Sequence, residues 1–259
     1  MSLKEIVTRQ LAEARSAETA GNLTKASLLL KRVAQRQNSE VLMLWLADIE
    51  RRRRRLRSSI RMLDKALKLN PKRALTYIFK AQCLCDLRKY DFAAMALKQA
   101  LKIEKRADAF VLLGSIYEQL QNSTTASRYY RYAIECDESF EEAHYNRGRL
   151  LRKSDPKKSL WHLKKAVKLD PTYGLAYAEL GGVMLQLNRY NEAEIALRKA
   201  IQLDPNSIWN HLYLANLFWK TGRVEQAKAE YEAAAKIDST RFSNRCLQQF
   251  LAKRDKGFK

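Results

Sequence analysis

Small and apolar residues return along the chain with a period of 33 or 34 residues. A small residue leads each period, at Ala14, Ala47, Ala81, Gly114, Gly148, Gly181 and Ala215. An alanine or serine follows, at Ala26, Ser59, Ala93, Ala126, Ser159, Ala193 and Ala227. A large residue comes four positions later, at Leu30, Leu63, Leu97, Tyr130, Leu163, Leu197 and Tyr231. Coherent repetition at this period indicates a repeat protein in which each unit is one supersecondary element.

Each period contains two amphipathic stretches separated by turn residues. Turns between units are marked by Asn70-Pro71, Asp170-Pro171 and Asp204-Pro205. Proline ends a helix there because it lacks an N–H group and restrains the residue before it. The small residues are predicted to lie where paired helices cross, since a short side chain lets two backbones approach closely. The predicted fold class is therefore all-α, built from helix–turn–helix units.

The sixth unit connects this pattern to a known family. It contains Leu180-Gly181, Tyr190, Ala193, Leu197, Ala200 and Leu203-Asp204-Pro205, and this series resembles the tetratricopeptide repeat. The resemblance implies a right-handed α-solenoid superhelix that binds another macromolecule in its concave groove. The units expected from it are 7–39, 40–73, 74–106, 107–140, 141–173, 174–207 and 208–241, within a solenoid over 1–241. Residues 242–259 are expected to form a C-terminal capping helix and a basic tail.

Basic residues are in large excess and are unevenly distributed along the chain. The chain has 49 Lys and Arg against 28 Asp and Glu, a net charge of +21. Residues 1–106 hold 25 basic and 10 acidic residues, whereas residues 107–140 hold 2 and 5. Such an uneven distribution favours a directed anionic partner. A basic patch is predicted at the end of the first helix and in the internal turn of the second unit, at Arg51, Arg52, Arg53, Arg54 and Arg55.

Catalytic and metal-binding chemistry is not indicated. The chain has three histidines, and we expect His144 and His211 to be packed in or near the core. Cys83 and Cys85 lie two residues apart on a helix and so point in different directions. No metal site, cofactor or enzymatic activity is predicted. The absence of a secretory signal, of a membrane-spanning stretch and of a disulfide framework favours a cytoplasmic or nuclear location.

The family resemblance implies where a partner would bind. The first helix of each unit lines the groove, at the second, fifth, ninth and twelfth positions of the unit. The predicted groove contacts, with two neighbouring positions added, are Trp209, Leu212, Tyr213, Asn216, Trp219, Tyr145, Asn146, Arg149 and Arg152. Tryptophans on such a stripe would act as apolar anchors.

Two functional hypotheses follow. The first is a non-enzymatic scaffold or adaptor that binds a protein segment, preferably an acidic one, in the groove. The second is an RNA- or nucleic-acid-processing factor that binds through the basic N-terminal half. It is favoured by the charge and by the second unit, where Met43 to Glu50 resembles the half-a-TPR variant of RNA-processing proteins.

Overall fold

The computed structural model describes residues 2–237, and this range contains fourteen α-helices and no β-strand. The chain divides after Cys136 into two compact units. Unit 1 contains α1 (Leu3–Thr19), α2 (Leu23–Ala34), α3 (Glu40–Arg52), α4 (Leu56–Leu69), α5 (Ala74–Asp86), α6 (Tyr90–Ile103), α7 (Ala107–Gln119) and α8 (Ser123–Cys136). Unit 2 contains α9 (Glu141–Leu151), α10 (Pro156–Leu169), α11 (Gly174–Gln186), α12 (Tyr190–Leu203), α13 (Ile208–Lys220) and α14 (Val224–Ile237).

Each odd-numbered helix packs against the even-numbered helix that follows it. The predicted all-α class of helix–turn–helix repeats is thereby confirmed. None of the helices in residues 2–237 is long and apolar enough to cross a lipid bilayer. The capping helix predicted for 242–259 lies outside the described residues.

The crossing of each helix pair is set by the small residue of the repeat. A Cβ atom added at Gly148 would lie 2.7 Å from Cγ of Leu163, and one at Gly181 would lie 2.5 Å from Cγ of Leu197. Carbon atoms do not approach this closely, since their optimal separation is about 3.5–4.0 Å. The large residue of the repeat therefore packs directly over the missing side chain of its own pair.

Two buried serines occupy the position where the other units have alanine. The hydroxyl of Ser59 donates to the carbonyl oxygen of Ala47 at 2.7 Å, and that of Ser159 to the carbonyl oxygen of Gly148 at 2.6 Å. In both pairs the acceptor is the small residue on the facing helix. Each hydroxyl is thus satisfied, so serine replaces alanine without leaving an unpaired buried polar group.

The turn inside most pairs depends on one residue in the left-handed conformation. These residues are Gly21, Arg54, Arg88, Gln121, Asn188 and Gly222, with φ between 56° and 76°. They end the first helix, and the next N–H then returns to that helix, as from Lys89 to the carbonyl of Leu84 at 2.8 Å. The fifth pair is one residue shorter and lacks this turn. There Asp155 caps α10 by accepting from the N–H of Lys158, with Pro156 in the first turn.

Candidate binding surfaces

The first helices of the pairs in unit 2 expose large apolar side chains. Trp209, at the start of α13, is 65% exposed, and Leu175, at the equivalent position of α11, is 57% exposed. Further along α13, Leu212 is half-buried and Asn216 is exposed. Neighbouring exposed apolar side chains are typical of interaction surfaces, and tryptophan is frequent among residues that dominate binding energy.

A polar network joins α9, α11 and α13 beside these residues. Nη1 of Arg152 donates to Oε2 of Glu179 at 3.0 Å and to the hydroxyl oxygen of Tyr213 at 2.8 Å. Burial lowers the pKa of Arg152, but Glu179 and Tyr213 outweigh this effect and raise it overall. The ring of Tyr213 lies over Gly182, where an added Cβ atom would be 3.4 Å from the ring. These contacts fix the three helices relative to one another.

The remaining predicted groove residues are less available to a partner. Tyr145 packs against Tyr173, with ring centroids 4.9 Å apart, and Arg149 is half-buried. Trp219 is half-buried and packs against the apolar core of unit 2. Asn146 is only 7% exposed, and its amide donates to the carbonyl oxygen of Glu142 at 2.9 Å. This burial argues against the predicted role of Asn146 as a partner contact.

The basic patch of unit 1 divides into a paired part and an unpaired part. Three arginines form ion pairs, Arg51 with Asp48 at 3.0 Å, Arg52 with Glu18 at 2.5 Å and Arg53 with Glu50 at 2.9 Å. Arg54 and Arg55 are exposed, and within residues 2–237 no carboxylate lies at ion-pair distance from either. The patch therefore offers two free guanidinium groups where the sequence suggested five.

Glu50 lies fully buried beneath this turn. Its Oε1 accepts a hydrogen bond from the hydroxyl of Ser27 and lies 3.2 Å from Nζ of Lys31. Burial raises the pKa of Glu50, but hydrogen bonds, that from Ser27 foremost, lower it to about 2. The carboxylate is thus ionised and holds both Lys31 and Arg53 at the base of the turn.

The positive charge of unit 1 lies on the second helices of the pairs and in the turns. Helices α2, α4 and α6 together carry nine basic and two acidic residues. Helices α1, α3 and α5 carry six basic and seven acidic residues. Since the family resemblance assigns the first helices to the groove, the excess charge of residues 1–106 is not concentrated there.

His144 and His162 form a buried pair in unit 2. Their Nδ1 atoms are 3.1 Å apart, Nε2 of His144 lies 3.2 Å from the carbonyl oxygen of Glu138, and Nε of Arg147 donates to Nε2 of His162 at 3.1 Å. Burial lowers the pKa of both imidazoles, that of His162 to about 4. Both rings are therefore neutral near pH 7. No group of three or more potential metal ligands occurs in the described part of the chain.

Comparison with known families decides how this fold is classified. One model of the tetratricopeptide repeat matches residues 174–207, and a second matches residues 107–140 and 212–241. The chain is a tetratricopeptide repeat protein. No curated protein is significantly similar to it in sequence, and the matching family models indicate no catalytic family.

Solved structures share the fold of this tetratricopeptide repeat protein. A chain of the APC/C hetero-tetramer Cut9-Hcn1 is 18% identical with a TM-score of 0.73, over 90% of this chain and 48% of that chain. A tetratricopeptide repeat protein of Parabacteroides merdae is 15% identical with a TM-score of 0.69, over 96% and 98%. YrrB, a repeat protein with an unusual peptide-binding site, is 21% identical with a TM-score of 0.51, over 70% and 95%. The protein thus spans about half of the matched chain of that hetero-tetramer.

One residue of the network in these tetratricopeptide repeats was not predicted. Glu179 accepts the hydrogen bond from Arg152, yet sequence reasoning did not single it out. It occupies the sixth position of its unit, the position that Asn146 and Tyr213 hold in theirs. That shared position is the signal that would have identified it.

Proposed function

We propose that this tetratricopeptide repeat protein is a non-enzymatic scaffold that binds a segment of a partner protein on the first helices of unit 2. The observation that carries the proposal is the exposure of Trp209 and Leu175 at equivalent positions of neighbouring helices. Leu212 and Asn216 extend this surface along α13. One protein of similar fold is a chain of the hetero-tetramer Cut9-Hcn1, and another, YrrB, has a peptide-binding site. Both agree with a role in protein binding.

The residues of this surface have separate tasks. Trp209 and Leu175 provide apolar area that a partner can remove from water, which is the main source of binding free energy. Arg152 and Tyr213 are already engaged with each other, so they fix the position of α13 and leave little ordering to be done on binding. The net charge of +21 would bring acidic partners to the protein by long-range attraction, although its main excess, in residues 1–106, lies in unit 1 and not on this surface.

Replacement of Trp209 by alanine tests the proposal. Peptides selected on the wild-type protein from a random displayed library provide the probe, and fluorescence anisotropy provides the affinity. We expect Trp209→Ala to weaken binding by about 2 kcal/mol, or about 30-fold in Kd, as for a residue at the centre of an interface. The melting temperature should stay near that of the wild type, since Trp209 is largely exposed.

Trp161→Ala is the matched control. Trp161 is 60% exposed but lies on α10, a second helix of a pair. Its replacement should leave the peptide affinities within about twofold of the wild type, which is within the range of a neutral interface residue. Equal losses of peptide affinity in the two variants, or no loss of affinity in Trp209→Ala, would contradict the proposed binding surface.

The second candidate function is nucleic-acid binding by unit 1. The observation that favours it is the excess of basic residues on α2, α4 and α6, next to an exposed aromatic residue, Phe92, with Nζ of Lys89 6.0 Å from the ring centroid. Basic surfaces with aromatic side chains bind single strands through phosphates and stacked bases. The salt dependence of RNA affinity distinguishes this candidate from the scaffold.

A further inference from the structure

A cationic cleft opens at the turn between α3 and α4 in unit 1. Its volume is about 460 Å³. It is lined by Lys31, Glu50, Arg54, Arg55, Leu56, Arg57, Ser58, Arg61 and Leu87. Five of these residues are basic and one is acidic. The cleft lies on the turn side of the helix pairs and contains none of the positions that the family resemblance assigns to the groove.

Four guanidinium groups of the cleft have no acidic partner among residues 2–237. Arg54, Arg55, Arg57 and Arg61 are exposed, and no carboxylate within residues 2–237 lies at ion-pair distance from them. Glu50 is the one acidic residue in the lining, and Lys31 and Arg53 already neutralise it. The cleft therefore holds uncompensated positive charge at one place. Concentrated like charge destabilises the folded state, so an anionic ligand that neutralises it would be bound favourably.

The backbone and the buried carboxylate prepare this arrangement. Arg54 has a φ of 59°, a conformation that is uncommon for an arginine and that closes the turn. The N–H of Arg55 then returns to the carbonyl oxygen of Glu50 at 2.8 Å. Glu50 is itself fixed by Ser27, Lys31 and Arg53. Arg54 and Arg55 thus project from a turn that is held at both ends.

Guanidinium groups favour phosphoryl ligands. The planar fork of arginine donates two parallel hydrogen bonds to a phosphate, and clusters of arginine recognise phosphorylated side chains. A phosphorylated serine carries about −1.5 to −2 charges and three acceptor oxygens at neutral pH, so it can engage more than one arginine. A single carboxylate carries less charge and fewer acceptors.

The lining favours a phosphorylated protein over a nucleic acid. Single strands are held by aromatic side chains on which the bases stack, together with basic residues that follow the backbone. Within the described part of the chain, no aromatic side chain lines this cleft. The lining instead combines guanidinium groups with the uncharged, non-aromatic side chains of Ser58, Leu56 and Leu87, which suits one phosphoryl group and the chain that carries it.

We propose that the cleft of unit 1 binds a phosphorylated serine or threonine in an acidic segment of a partner protein. The inference rests on the proposed function in taking the partner to be a protein. It adds a second site, in a different unit, and makes binding dependent on phosphorylation of the partner.

Fluorescent peptide pools test this inference on the full chain. One pool, about ten residues long, has a central phosphoserine among random positions rich in Asp and Glu, and a second pool has glutamate in place of the phosphoserine. We expect the phosphorylated pool to bind about tenfold more tightly, because a phosphoryl group forms stronger and more numerous charge-assisted hydrogen bonds. Equal affinities of the two pools would overturn the inference.

Matched variants locate the binding. Arg54→Ser with Arg55→Ser should weaken binding of the phosphorylated pool by about tenfold or more, since two charged hydrogen-bond donors are lost. Arg51→Ser with Arg52→Ser removes the same charge from paired residues outside the cleft and should have an effect of about twofold or less. Equal losses in the two double variants would show that only net charge matters and would overturn the cleft.

Further measurements separate the possible failures. Trp161→Ala should leave binding of the phosphorylated pool unchanged, because Trp161 lies on α10, outside both the cleft and the surface around Trp209. If Trp209→Ala lost binding of the phosphorylated pool while Arg54→Ser with Arg55→Ser kept it, the cleft would be overturned and the surface of unit 2 supported. A single-stranded oligouridine that binds more tightly than the phosphorylated pool, and is lost with the cleft variant, would assign the cleft to nucleic acid.

Discussion

Among single residues, the two buried histidines of unit 2 show how hydrogen-bond partners set a protonation state. Nε2 of His162 accepts from Arg147, so its proton is on Nδ1 and can be donated to Nδ1 of His144. The proton of His144 is then on Nε2, directed at the carbonyl oxygen of Glu138. Every ring nitrogen has a partner only while both rings are neutral. Protonation of either ring would place two N–H groups, or an N–H group and a guanidinium, against each other.

We expect unit 2 to lose stability as the pH falls from about 6.5 to 4. The folded pKa of His162 is lowered to about 4 from 6.5, and that of His144 is lowered too. The unfolded chain therefore binds more protons in this range, and stability present above pH 6.5 is lost on acidification. Arg147 and Lys165 reinforce the effect and Glu138 opposes it. The lowering of the His162 pKa from 6.5 to about 4 corresponds to about 3 kcal/mol of unfolding free energy.

Urea titrations at several pH values provide the measurement. His162→Gln should flatten the dependence of unfolding free energy on pH between 4 and 6.5, at some cost in stability at pH 7. An unchanged slope in this variant would mean that other groups cause the acid sensitivity.

Sequence reasoning could reach only part of this residue-scale chemistry. It predicted that His144 is packed, because the family has an aromatic residue there, and the structure confirms its burial. It missed the pairing with His162, which lies on the other helix of the same pair. The ion pair of Arg52 was missed for a similar reason, since its partner Glu18 comes from another helix. Arg51 and Arg53 instead pair with Asp48 and Glu50, three residues earlier in the sequence, a spacing that allows such contacts on a helix. Spacing along one chain does not reveal which polar side chains meet across helices.

At the scale of helices and turns, the spacing of residues along the chain predicted more of the structure than it did for side-chain contacts. The small residues were predicted to lie at helix crossings, and glycine at 148 and 181 is required there by the contact with Leu163 and Leu197. The left-handed residue of each turn was predictable at Gly21 and Gly222, because glycine favours positive φ. At Arg54, Arg88 and Gln121 the same conformation is imposed by the repeat and has no local signal. At these positions the packing of the helix pair overrides the conformational preference of the residue itself.

The adjacent glycines of α11 allow a direct test of the crossing. Alanine is more favourable than glycine in a helix by about 1 kcal/mol. At Gly181 a Cβ atom would lie 2.5 Å from Cγ of Leu197, so Gly181→Ala should lower stability by about 1–3 kcal/mol through overpacking. At Gly182 the nearest atom is 3.4 Å away, in the ring of Tyr213, so Gly182→Ala should be neutral or stabilising by up to about 1 kcal/mol.

Chemical denaturation of the two variants gives the comparison. Gly181→Ala combined with Leu197→Ala should recover part of the packing strain, although it leaves a smaller core residue. Equal stabilities of Gly181→Ala and Gly182→Ala would contradict the assigned crossing.

At the scale of the whole molecule, net charge is a weak guide to function. A charge of +21 ensures some attraction to any polyanion. The structure divides this charge into paired residues, such as Arg51 and Arg52, and unpaired ones, such as Arg54 and Arg55. Sequence reasoning treated the basic run as one patch and did not make this division, which depends on Asp48 and Glu50 of the same stretch and on Glu18 of α1. Only the unpaired groups are free to replace the counterions of a partner.

The salt dependence of RNA binding follows from this division. For a single strand, the logarithm of affinity falls with the logarithm of salt concentration by about 0.7 for each neutralised phosphate. Arg54→Ser with Arg55→Ser should therefore lower the slope by about 1.4, whereas Arg51→Ser with Arg52→Ser should lower it much less. Affinity of the wild type for oligouridine should be in the non-specific range of about 10⁻⁴–10⁻⁶ M at physiological salt. Anisotropy titrations at four or more salt concentrations, on the wild type and both double variants, measure these slopes. The nucleic-acid candidate would be favoured over the scaffold by two results together. The wild type would bind oligouridine more tightly than this non-specific range, and only Arg54→Ser with Arg55→Ser would lose that affinity.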